Sequence, residues 1–154
     1  MTKTEADKIK KECKKTSTKA AFISAAGGAV PIPGVDIGTD VAILLKTLPK
    51  ISRRFNLSNE QIDELDDQGR LLVFNAIKRA GAELIGRAIT KDVIITIFKR
   101  MGLKVATRQV AKYIPFVGSL VSAGISYGAM KIVINMHINQ CYNVVAEING
   151  FKAD

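Results

Sequence analysis

Tyr113-Ile-Pro115-Phe-Val-Gly118-Ser-Leu-Val-Ser-Ala-Gly124-Ile-Ser-Tyr-Gly128-Ala-Met130 is the stretch on which the fold turns. It opens an apolar run, 113–145, in which Lys131 and His137 are the only ionisable side chains besides the tyrosines and Cys141. A helix that is apolar on nearly every side is either the centre of a bundle or a membrane element. Gly118, Ser122 and Ser126 step by four, with Gly124 and Gly128 beside them, and such a small-residue face lets another helix backbone approach closely. In a soluble bundle that face is tight core packing; in lipid it zips helices into an oligomer. The uncharged part, 114–130, falls short of the roughly 20 residues that a span needs, and Gly and Ser dilute it further. The bundle is the favoured reading.

Working outward, a second Pro-Gly turn precedes a second apolar helix. Ala29-Val-Pro31-Ile-Pro33-Gly34-Val-Asp36 interrupts a small-residue helix that starts near Ala20, because the two prolines forbid regular continuation. Asp36 is the expected N-cap of the second apolar helix. Ile37, Val41, Leu44, Leu48, Ile51 and Phe55 then mark one buried face, with Asp36 and Asp40 at its start and Lys46, Lys50, Arg53 and Arg54 at its end, as the helix dipole favours. Pro49 is expected to bend or break this helix. The two turns read as one proline-hinged hairpin used twice.

The remainder is also helical in pattern. Residues 1–19 are polar and basic, with Lys8, Lys11 and Lys15 at helical spacing, and read as a solvated helix or tail before a single domain, 20–150, and a short tail, 151–154. Asn56-Leu57 closes the helix after Pro49, and Ser58-Asn-Glu-Gln61 is a capping box for a short acidic helix that is expected to stop at Gly69. A further apolar-faced helix covers 71–80, with Gly81 as a break. Thr90 is a candidate cap before Val93-Ile-Ile-Thr-Ile-Phe98, which reads as helix because its flanks are helical and no partner strand is in sight. The long apolar helix is expected to end at Asn149-Gly150. The fold class is therefore all-α, a compact bundle of about six to seven helices with two Pro/Gly-hinged apolar hairpins.

Composition bounds the function. The chain of 154 residues suffices for one domain with a real core. Its net charge of +9 favours an acidic partner, either an anionic membrane surface or nucleic acid. Cys13 and Cys141 do not make a disulfide framework and read as free thiols in a reducing compartment. No secretory signal is evident.

Gly28-Ala-Val-Pro31-Ile-Pro33-Gly34-Val-Asp36-Ile-Gly-Thr-Asp40-Val-Ala-Ile-Leu-Leu-Lys46, followed by Arg53-Arg-Phe-Asn-Leu-Ser58, resembles the C-terminal helical domain of the immunity-related (interferon-inducible) GTPases. There a Pro-Gly turn also leads an Asp-containing apolar helix and then a Phe-Gly-Leu-type turn. Tyr113-Ile-Pro115-Phe-Val-Gly118 fits the second such turn, about eighty residues on, and the same pattern is similar to YcjF-type bacterial inner-membrane proteins. The resemblance covers the chain from about Ala25 and implies an all-α module that works at membranes and near GTP-binding proteins. It transfers Pro31, Pro33, Gly34, Asp36, Asp40, Pro115 and Gly118 as architecture alone. No Gly-x-x-x-x-Gly-Lys-Ser/Thr phosphate loop exists in the sequence, so nucleotide hydrolysis does not carry over.

Each chemically notable residue has a bland reading beside the sharp one. His137 lacks a carboxylate within a turn and reads as a structural histidine rather than a metal ligand or general base. Asp36 and Asp40 are explained by capping and the dipole, and the acids at 60–67 are not spaced as a calcium loop. Arg100, Lys104, Arg108 and Lys112 step by four with no acid between them. They make either a solvated face or a strip facing phosphate, bordered by Phe98, Met101 and Leu103, which would dip into headgroups. Nucleic acid ranks lower, because few base-reading side chains interleave with the cations.

The expected function is a non-enzymatic module, cytoplasmic and peripheral to or partly inserted in a membrane, that binds anionic lipid and partners a P-loop GTPase. The alternatives are a membrane-permeabilising effector that oligomerises through Gly124 and Gly128, and a helical nucleic-acid binder. No cofactor or metal is expected.

Overall fold

A computed structural model describes residues 1–28, 39–100 and 119–153, with backbone alone at 24–28, 39 and 119–126. Those residues form six helices: α1 (Lys3–Gly28), α2 (Thr39–Arg54), the single-turn α3 (Asn59–Asp63), α4 (Asp67–Arg79), α5 (Lys91–Arg100) and α6 (Ser119–Asn149). No strand occurs among the described residues. The chain is an all-α bundle.

The long apolar helix, α6, is its centre. Met130, Val133, Ile134, Ile138, Cys141, Tyr142 and Val144 are all fully buried, because α1, α2 and α4 pack around them. The most extensive of these contacts is with α1, whose inward stripe of Ala6, Cys13, Ser17, Ala20 and Ala21 is made of small residues that let the two axes approach closely. On α2, Val41, Leu44, Leu48, Ile51 and Phe55 are buried, as their spacing predicts, while Ile37 lies outside the described residues.

Contacts fix the directions. The Met1 amino group donates to Asn149 Oδ1 at 3.2 Å and the Tyr142 hydroxyl to Asp7 Oδ1 at 2.6 Å, so α1 and α6 are antiparallel. Arg54 pairs with Glu12, and α2 runs back along α1. It is thus parallel to α6, with Ser52 level with His137. Gly28, Thr39 and Ser119 accordingly lie at one end of the three-helix core, and the turn Asn56–Ser58 and the acids of α3 at the other.

Local chemistry sets the helix ends. Thr2 and Glu5 form a reciprocal capping box at the start of α1, Glu5 N–H to Thr2 Oγ1 at 3.3 Å and Thr2 N–H to Glu5 Oε2 at 2.7 Å. Ser58 and Gln61 do the same for α3, and Val93 N–H donates to Thr90 Oγ1 at the start of α5. Three helices stop in the same way. Asn56, Gly81 and Gly150 take positive φ, and the next N–H in each case reaches back to the carbonyls of Ser52, Ile77 and Ala146, the Schellman arrangement.

Two expectations are corrected. Gly69 does not end an acidic helix; it sits in the first turn of α4, where its N–H donates to the capping Asp66 Oδ1 at 2.7 Å. Pro49 neither breaks nor ends α2, which continues to Arg54. Its ring is exposed, while Leu48 and Ile51 on either side are clamped in the core.

Candidate functional site

Two groups of side chains carry chemistry: a buried polar knot between α2 and α6, and the cations of the surface. In the knot, Ser52 Oγ lies 2.9 Å from His137 Nε2, and Cys141 Sγ lies 3.7 Å from the same nitrogen. The constellation superficially resembles a nucleophile–base set. Its environment argues otherwise. His137 is completely buried, and the loss of water lowers its pKa to about 4, the backbone carbonyl of Leu48 opposing the shift. Burial likewise pushes the Cys141 thiol upward, with Ser52 opposing. A neutral imidazole beside a protonated thiol, neither reachable from solvent, is a hydrogen-bonded core element rather than a proton-transfer site. A cavity of about 200 Å³ lined by Pro49, Ser58, Leu84 and Ile89 reaches Ser52 from outside, and the imidazole lies behind it. The Leu48 carbonyl is too poorly aligned to satisfy the ring fully: Nδ1 has no hydrogen bond of normal geometry among the described residues.

The surface cations are organised by where the acids go. Each carboxylate of α1 is committed. Glu5 caps its own helix, Asp7 accepts from Tyr142, and Glu12 pairs with Arg54. Hydrogen bonds from Thr2, its backbone N–H first, hold the Glu5 carboxyl below the usual range. Lys10 stacks on the Tyr142 ring, its Nζ 4.0 Å from the centroid. What remains on the outer face of α1 is Lys8, Lys11, Lys15 and Lys19, all exposed. Among the described residues none of the four forms an ion pair.

The row runs straight into Phe22 and Ile23, which are 70% and 60% exposed. Toward the end of the core that holds Gly28, Thr39 and Ser119, the three helices carry Lys19, Lys46 and Lys131 against one carboxylate, Asp40. At the opposite end Asp63, Glu64, Asp66 and Asp67 cluster within one turn of chain.

The basic stripe read from the sequence fares differently. Phe98 is 6% exposed and faces the core with Ile94, one turn before it, so it is not a headgroup-facing residue. Arg100 pairs with Glu83 at 2.9 Å, both side chains being mostly exposed, so the pair contributes little. Met101, Leu103, Lys104, Arg108 and Lys112 lie outside the described residues, as do Pro31, Pro33, Gly34, Asp36, Pro115 and Gly118. Gly124 and Gly128 both fall on α6. A Cβ at Gly128 would meet no atom within 4 Å, so among the described residues no helix backbone presses on it.

Sequence reasoning passed over Phe22 and Ile23. The signal was the lysine spacing of three and four, which continues through Lys19 to Phe22 although the composition changes at Ala20.

No family model matches the chain, and no solved structure does. Among curated proteins it is similar to interferon-inducible GTPase 5 of Bos taurus, 26% identical over 137 residues, and of Rattus norvegicus, 25% identical over 137 residues. Each match covers 84% of this chain and 27% of the relative. The chain thus spans about a quarter of the length of the curated relatives it matches.

Proposed function

We propose that this chain is a helical membrane-surface module, without catalytic chemistry of its own, that binds anionic lipid and works beside a GTP-binding protein. The observation that supports it is the excess of cations, +9 over the sequence, with Lys19, Lys46 and Lys131 against Asp40 toward one end of the core and the acids of 63–67 at the other. A surface of that kind is attracted to an anionic leaflet, where each cation adds on the order of 1 kcal/mol. Nucleic acid would be attracted as well, but the lysines are accompanied by exposed apolar side chains rather than by the amides and arginines that read bases. The likeness to interferon-inducible GTPases supports the second half of the proposal, the sequence itself carrying no phosphate loop.

Flotation decides the lipid part. Phosphatidylcholine vesicles containing phosphatidylserine should carry the protein upward, and phosphatidylcholine alone should leave it at the bottom. Equal behaviour with the two rejects lipid binding. For the GTPase part, the chain should co-purify from its own cells with a GTP-binding protein in a nucleotide-dependent manner; a chain that purifies alone, with or without a GTP analogue, removes that half.

A further inference from the structure

We infer that the docking surface for anionic lipid is the outer face of α1, with Lys8, Lys11, Lys15 and Lys19 along the headgroups and Phe22 and Ile23 dipping between them. The inference rests on the proposed lipid binding and names the surface that does it. Positions 8, 11, 15, 19 and 22 step by three and four, so they share one side of the helix, and at 1.5 Å per residue the row is about 21 Å long. The opposite side, Ala6, Cys13, Ser17, Ala20 and Ala21, is buried against the core. A helix whose outward side holds a cationic row ending in large apolar side chains matches an interface between headgroups and acyl chains. The acids of the same helix do not oppose this, since Glu5, Asp7 and Glu12 are held by Thr2, Tyr142 and Arg54.

The competing apolar surface is the outer side of α4, where Leu71, Leu72 and Phe74 are half or more exposed. Its first turn, however, is flanked by Asp63, Glu64, Asp66 and Asp67, which an anionic leaflet repels. Charge therefore selects α1.

The chain contains no tryptophan, so Phe22→Trp places a single fluorescent reporter at a well-exposed position where the larger ring meets no packing constraint. With vesicles containing phosphatidylserine, emission from Phe22→Trp should shift to the blue and be quenched by brominated acyl chains. Leu71→Trp, made separately, should show neither effect. Lys15→Gln with Lys19→Gln should weaken vesicle binding by roughly five-fold per lysine. A protein that floats while Phe22→Trp stays unquenched and Leu71→Trp is quenched overturns the α1 surface and leaves lipid binding intact. A blue shift of Phe22→Trp that follows protein concentration without vesicles assigns the face to a second copy of the chain and also overturns it. Absence of flotation on any vesicle sinks the underlying lipid reading, and this inference with it.

Discussion

His137 shows how much one side chain can weigh. In the unfolded chain its imidazole titrates near its ordinary value of about 6.5; in the core, desolvation lowers that to about 4. Between those two values the unfolded state binds the proton and the folded state does not, so stability is fully present above pH 6.5 and declines as pH falls toward 4. The shift corresponds to roughly 3 kcal/mol across the window. Denaturant melts from pH 7 to 4.5 should show this slope, and His137→Gln should flatten it; an unchanged slope would mean the imidazole is not the titrating group. That the histidine sits inside the bundle was legible, since the run around it is apolar on nearly every side. Its partner was not. Ser52 is 85 residues away, and no local pattern announces a contact across two helices.

At the scale of elements, the same substitution is expected to change sign with position. Gly81 ends α4 at φ +61 with open space around it, so Gly81→Ala incurs only the backbone cost of a left-handed residue, about 1 kcal/mol of destabilisation. Gly128 lies inside α6 with open space where a Cβ would go. Gly128→Ala should therefore stabilise by about 0.5–1 kcal/mol through lost freedom of the unfolded chain. Thermal melts of the two variants test the pair, and a destabilised Gly128→Ala would restore the tight helix contact that its small-residue neighbourhood implied. Helix ends were largely readable because their chemistry is local: Asn56, Gly81, Gly150 and the Ser58–Gln61 box need only neighbours in sequence. Gly69 misled because a glycine after an acidic run looks like a stop, when it is the N3 residue whose N–H is capped by Asp66 Oδ1. Phe98 misled for a different reason. Its helix is apolar over a wide arc, and only the arrangement around α2 decides which part of that arc is inside. The continuation of the α1 lysine row into Phe22 and Ile23 was hidden by a change in composition at Ala20 that the helix itself ignores, running unbroken from Lys3 to Gly28.

For the whole molecule, the question is what kind of attachment this architecture sustains. No helix among the described residues is long and apolar enough to cross a membrane, and the most hydrophobic one, α6, buries Met130, Val133, Ile134, Ile138, Val144 and Val145 in the core. Binding through α1 would then rest on four lysines at about 1 kcal/mol each in low salt, plus two side chains lodged at the interface. Salt acts on these unequally: the screening length falls from about 10 Å at 0.1 M to about 3 Å at 1 M, which removes most of the lysine attraction and none of the apolar part. A single myristoyl chain holds a protein only marginally, and Phe22 with Ile23 buries less than that. A wash near 1 M salt should therefore strip the bound protein from phosphatidylserine vesicles, and dye trapped inside them should stay there throughout. Protein retained after the wash, with dye released, would instead mean that apolar segments enter the bilayer and that the permeabilising reading describes this chain better than the peripheral one.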